Sequence, residues 1–103
     1  MYVLNFWHTV TDYGEWKKVF DTDPLGREAS GVRRLTIERP VSDEHKVVGH
    51  LGFDSLGEAE TFAGRLQEVW KGPAGSMVSD AGLNISETLV TQVLGGETAR
   101  KVA

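Results

Sequence analysis

Apolar positions run through YVLNFWHTV, residues 2–10, on both parities: Tyr2, Leu4, Phe6, His8 and Val10 share one face of an extended segment, and Val3, Asn5, Trp7 and Thr9 share the other. Aromatic content and β-branching predict a first strand there. The period then changes. In TDYGEWKKVFDTD, Trp16, Val19 and Phe20 recur at helical spacing behind Asp12, a natural N-cap, and predict a helix over 12–21. Pro24 and Gly26 interrupt it before it resumes through Arg27 to Ser30, and Gly31 stops it.

A second strand is predicted over VRRLTIERP, 32–40, with Leu35 and Ile37 alternating against Arg34, Thr36 and Glu38 as expected near a sheet edge. The polar stretch PVSDEHK makes a hairpin connection to a third strand, KVVGHLGF, 46–53. Ser55 and Glu58 form an S-x-x-E capping box at the start of a second helix. Leu56, Ala59, Phe62, Ala63, Leu66 and Trp70 line its apolar stripe, and Gly72-Pro73 ends it. A short helical piece, SMVSDAG, precedes a fourth strand over 85–94, and residues 95–103 form a flexible tail.

The order β-α-β-β-α-β, with right-handed crossovers, predicts a ferredoxin-like α+β sandwich, a four-stranded antiparallel sheet with both helices on one face, spanning residues 1–94. The helices cover one face of the first strand only. Leu4, Phe6, Val48 and Leu89 are expected to form an apolar patch on the other. A second copy of the same sheet is the simplest cover, which makes a homodimer through the sheet face.

Composition narrows the chemistry. With 103 residues the chain holds one core. It has no cysteine, which removes disulfides, thiol catalysis and thiolate metal sites. No apolar run approaches the roughly 18 residues that cross a bilayer, and no secretory signal opens the chain, so a cytoplasmic protein without membrane contact is expected. The formal net charge of −4, from 11 basic and 15 acidic residues, argues against nucleic acid as a partner.

Two families share the predicted order. MYVLNF at 1–6 and KVVGHLGF at 46–53 resemble the two strand motifs of the RNA-recognition motif, with matches at Lys46, Gly49, Leu51 and Phe53. The base-stacking positions of that family are aromatic, whereas here they are Val48 and His50. Over nearly the whole chain the sequence resembles the dimeric α+β barrel superfamily, specifically antibiotic biosynthesis monooxygenase-like proteins. That resemblance rests on DYGEWKKVFD at 12–21, GV at 31–32, HLGFDSLGEAETFA at 50–63 and MVSDAGL at 77–83. It implies a homodimeric barrel of two ferredoxin-like subunits. It also implies an oxidoreductase or cyclase without a bound cofactor, acting on an aromatic or polyketide-like molecule held between sheet and helices. Haem-degrading members carry a proximal histidine near the second helix; residues 67–84 contain none.

A slot of that kind needs apolar walls and a few polar groups to orient a ring and hold a phenolate. Asn5, able to donate to a developing oxyanion, and Trp7, able to stack on the ring, come first. The alternative reading makes Trp7 core and leaves Asn5 bonded to backbone or water. Trp70, at the end of the second helix, stands either at a pocket mouth or against Pro73. His8 and His50 are expected to share the barrel-facing side of adjacent strands. There they serve either as a general base or as hydrogen-bonded interface residues. No histidine spacing indicates a metal, and GPAGS at 72–76 follows no strand, so no nucleotide cofactor is implied. A dimeric small-hydrophobic-ligand binder without catalysis is the alternative to the enzyme.

Overall fold

The computed structural model describes residues 1–95. Four strands, β1 (Tyr2–Val10), β2 (Val32–Glu38), β3 (Lys46–Phe53) and β4 (Val78–Glu87), form one antiparallel sheet in the order β2-β3-β1-β4. Two helices, α1 (Tyr13–Asp21) and α2 (Leu56–Lys71), cover one face of it. This is the ferredoxin-like arrangement. Among the described residues no helix is long and apolar enough to cross a membrane.

Each helix begins where a side chain satisfies the free amides of its first turn. The Asp12 carboxylate accepts from the Glu15 amide at 3.0 Å, and the Ser55 hydroxyl accepts from the Glu58 amide at 3.1 Å. Of the stripe expected on α2, Ala59, Phe62 and Ala63 are buried, while Leu56 at the first turn faces solvent. Phe62 meets Phe53 of β3 with ring centroids 5.7 Å apart.

Three sequence-based expectations are corrected. The fourth strand runs over 78–87 rather than 85–94, and of SMVSDAG only Ser76 and Met77 are helical, the rest belonging to the strand. A 3₁₀ helix at Pro73–Met77 leads directly into β4. The reason is tertiary: Ser79 to Glu87 have weak strand character, but they pair with β1 along most of its length, which outweighs their propensity. Residues 27–30 form turns and not a resumed helix. The predicted tail, apart from Gly95, lies outside the described residues.

The third correction concerns which side of β1 meets the helices. Leu4, Phe6, His8 and Val10 are all buried beneath α1 and α2, together with Val47, Leu51 and Phe53 of β3. Leu4 and Phe6 therefore belong to the core and not to an outward patch. The register decides it, since Leu4 lies opposite Leu51 and His8 opposite Val47. Opposed residues in an antiparallel pair project to the same face. The outward face carries Val3, Asn5, Trp7 and Thr9 of β1 with Val48 and His50 of β3. Phe6 lies opposite Gly49, where any β-carbon would occupy the volume of the Phe6 ring. The glycine leaves the space into which that ring packs.

Candidate functional site

An apolar concavity lies between the sheet and the helices, with a volume of about 90 Å³. Its floor is Phe6 and His8 of β1 and Leu51 of β3. One wall is the α1 face bearing Trp16 and Phe20, the other is Leu66, Val69 and Trp70 of α2, and Met77 and Val78 close one end. The α1 spacing follows from helical geometry, because residues four apart lie on one face. The rings of Trp16 and Phe20 stack at 4.9 Å.

His8 is the polar exception in this apolar site. It is 2% exposed, and its Nδ1 is fully buried with no hydrogen-bond partner. Its ring stacks on Phe6 at 5.6 Å and receives the edges of Trp16 and Trp70 at 5.3 and 6.2 Å. Burial pushes its pKa down from 6.5 to about 4, so the imidazole is neutral at pH 7. A neutral imidazole offers one N–H donor and one acceptor nitrogen to whatever occupies the cavity. An unpartnered buried polar atom costs on the order of 1–3 kcal/mol, and a site that retains one has an unmet capacity to bind.

The segment between α1 and β2 forms the outer wall through Leu25 and Arg27. Arg27 donates from Nη1 to the Phe20 carbonyl at 3.0 Å and lies 4.0 Å over the Phe20 ring, while its backbone amide donates to the Asp23 carboxylate at 2.9 Å. From α2, Arg65 donates to the Ser30 hydroxyl at 3.0 Å and to the Leu25 carbonyl at 3.2 Å. These contacts fasten the wall to both helices.

The other expected site residues stand on the opposite face of the sheet. His50 Nδ1 lies 2.7 Å from Asn5 Oδ1, and His50 Nε2 lies 3.1 Å from Glu38 Oε1. Asn5 Nδ2 donates to Asn84 Oδ1 at 2.8 Å and to Ser86 Oγ at 2.7 Å. One ladder of side chains thus crosses all four strands. Both ring nitrogens of His50 are thus engaged by neighbouring side chains. Trp7, on the same face, lies against Gly82, where a β-carbon would approach its indole to 2.6–2.7 Å.

The expected pairing of His8 with His50 does not form, because the strand register sends them to opposite faces. Asn5 and Trp7 are likewise separated from the slot, whereas Trp70 lines it beside His8. Phe20 and Arg27 were not singled out for the site. The i, i+4 aromatic pair Trp16 and Phe20 was the signal for the first, and no local pattern marks the second. Among the described residues no cluster of three or more histidine, cysteine or acidic side chains could hold a metal.

No family model matches the chain, and no curated protein matches it either. Solved structures do. A variant of SnoaB, a cofactor-independent oxygenase from Streptomyces nogalater, matches with a TM-score of 0.68 at 15% identity, over 87% of this chain and 94% of that one. A variant of MhuD carrying two manganese protoporphyrin IX per active site matches at 0.69 and 20% identity, over 93% and 100%. A dimeric ferredoxin-like protein from an uncultured marine organism matches at 0.57 and 15%, over 91% and 100%. The chain has the ferredoxin-like fold of antibiotic biosynthesis monooxygenase-like proteins. At these identities the likeness is one of fold. The ferredoxin-like chain keeps its apolar cavity under the helices and its polar ladder on the open face of the sheet.

Proposed function

We propose that this chain is a small homodimeric enzyme of the cofactor-independent oxygenase kind, holding an electron-rich phenolic or polyketide-like ring in the cavity beneath α1 and α2. One observation carries the reading: His8 places a buried, unpartnered nitrogen in the wall of an otherwise aromatic site. The reaction class converts a ring CH2 and O2 into C=O and H2O. The substrate supplies every electron, and the protein's task is to position it and manage one proton. His8 hydrogen-bonds the ring hydroxyl, and Trp70 packs on the ring.

The lowered pKa limits what His8 can do alone. A phenol near pKa 10 lies about six units above an imidazole near 4, on the order of 8 kcal/mol uphill for full transfer. His8 therefore acts first as a hydrogen-bond partner, and a developing phenolate beside it raises its proton affinity. Size is the second constraint. A cavity of about 150 Å³ takes a benzene ring, so one of about 90 Å³ admits a fused-ring phenol only when its lining side chains move apart. Both constraints also favour the second reading, a hydrophobic-ligand binder without turnover.

Oxygen uptake and quinone absorbance with a tricyclic hydroxyanthrone separate the two. The oxygenase reading expects wild-type turnover that falls about 100-fold or more in His8→Phe while the fold persists. Saturable quenching of tryptophan emission by the hydroxyanthrone with no oxygen uptake would establish the binder instead.

A further inference from the structure

The cavity beneath the helices has one charged edge. Among the described residues that line it, Asp23 and Arg27 alone carry charge, and both stand on the segment between α1 and β2. His8 supplies no cation at pH 7, because burial holds its imidazole neutral. Arg27 is therefore the one cation of the lining. Its side chain is 21% exposed, and its guanidinium is held 4.0 Å over the Phe20 ring, with Nη1 donating to the Phe20 carbonyl. Its Nε lies 3.6 Å from Asp23 Oδ1, beyond a direct hydrogen bond, and that oxygen already accepts from the Arg27 backbone amide at 2.9 Å. Nη2 has no hydrogen-bond partner among the described residues. A guanidinium oriented by packing, with N–H groups to spare at the edge of an apolar slot, suits the planar fork of a carboxylate.

We propose that Arg27 is a specificity residue of this site, receiving a carboxylate on the same ring whose hydroxyl meets His8, so that the preferred ligand is a hydroxyarene carboxylate and not a neutral phenol. The proposal rests on the ring-binding cavity argued above and adds the charge that its ligand carries. Two polar contacts, one at the floor and one at the outer wall, fix a flat ring within its own plane. A single contact among apolar walls leaves it free to turn. On a chain of net charge −4 an anionic ligand receives no general attraction, so a preference for one must be local. Partial burial makes a charge-assisted hydrogen bond stronger there than on the open surface. The Asp23 carboxylate competes for the same guanidinium and tempers that affinity.

Two probes with the same rings, 1,8-dihydroxyanthraquinone and its 3-carboxylate, test this through quenching of tryptophan emission by each at pH 7.5. Wild type is expected to bind the carboxylate at least about 10-fold more tightly than the neutral probe. Arg27→Gln removes that difference and leaves the affinity for the neutral probe unchanged, and Arg27→Lys, which keeps the charge without the fork, retains part of it. Asp23 has a φ of 55°, a left-handed conformation that asparagine tolerates, and the amide oxygen of asparagine still accepts from Arg27. Asp23→Asn is therefore expected to tighten the carboxylate alone, a gain that a purely structural ion pair does not produce. Arg33→Gln deletes the same charge from a residue paired with Asp54 and leaves the preference intact. Far-ultraviolet circular dichroism confirms that each variant is folded. Equal affinity of wild type for the two probes, or a preference that survives Arg27→Gln, overturns the role of Arg27 and leaves the cavity standing. A preference lost equally in Arg33→Gln overturns it too, as an effect of overall charge. Binding of neither probe overturns the ring-binding cavity together with it.

Discussion

His8 makes stability depend on pH in a direction that can be worked out in advance. In the unfolded chain its imidazole takes up a proton near pH 6.5, whereas in the folded protein burial lowers that value to about 4. Between the two, the unfolded state binds a proton that the folded state does not. Stability contributed at this position is therefore highest above pH 6.5, declines as pH falls towards 4, and is flat below that. Each unit of separation is worth about 1.36 kcal/mol, so the full difference is about 3 kcal/mol. Between pH 7.5 and 5.0 it is about 2 kcal/mol.

The comparison that isolates this is wild type against His8→Phe in urea, each measured at both pH values and at one protein concentration. Every other titrating group is common to the two proteins and cancels in the double difference. Phenylalanine keeps the stacking on Phe6 and removes the unpartnered Nδ1, and the adjoining cavity gives its slightly larger ring room to settle. His8→Phe is expected to equal or exceed wild type at pH 7.5 and to gain about 2 kcal/mol more on it at pH 5.0. A gap between the proteins that stays constant within about 0.5 kcal/mol across those pH values would refute the dry, unpartnered histidine.

Three further substitutions probe the packing that defines the two faces. Gly49→Ala drives a β-carbon into the Phe6 ring and is expected to cost about 1–3 kcal/mol or more in urea unfolding; a neutral result would show that Phe6 does not lie over Gly49. Gly82→Ala lifts the Trp7 indole from the open face, and a shifted emission maximum with unchanged circular dichroism is the expected outcome. Ser55→Ala removes the cap of α2 and should lower stability by about 1 kcal/mol, read as a lower urea midpoint at constant slope.

The elements that local chemistry specifies were legible. β3 occupies the predicted residues, α1 begins beside its Asp12 cap, and α2 begins directly after its Ser55 cap. β4 was not legible, because its first half, VSDAG, contains a positive-φ aspartate at Asp80 and small residues that no strand preference selects. The apolar stretch 88–94 looked more like a strand than the real one and drew the assignment towards the C-terminus. The site was harder still. Tyr2 to Val10 offers apolar residues on both parities, so alternation alone does not show which face meets the helices. Leu51 and Phe53 were correctly placed towards the helices, but transferring that choice to β1 needs the register of a pair that no hairpin joins.

The two histidines of the sheet show why that register matters for function. They sit on neighbouring strands, and by residue type alone they are interchangeable. His50 has both ring nitrogens engaged, and its partner Asn5 bonds onward to Asn84 and Ser86. A ligand reaching for either must first break a bond the protein already makes, so that ladder is suited to holding strands and an interface in register. His8 has no such bond to lose at Nδ1 and sits where water is scarce. A hydroxyl that enters the cavity gains a hydrogen bond there and relieves the cost of an unmet polar group in the same step. The candidate catalytic position is thus distinguished from the structural one by what its nitrogen lacks. A sequence pattern cannot display that lack, because it is a property of the face on which the strand pairing sets the ring.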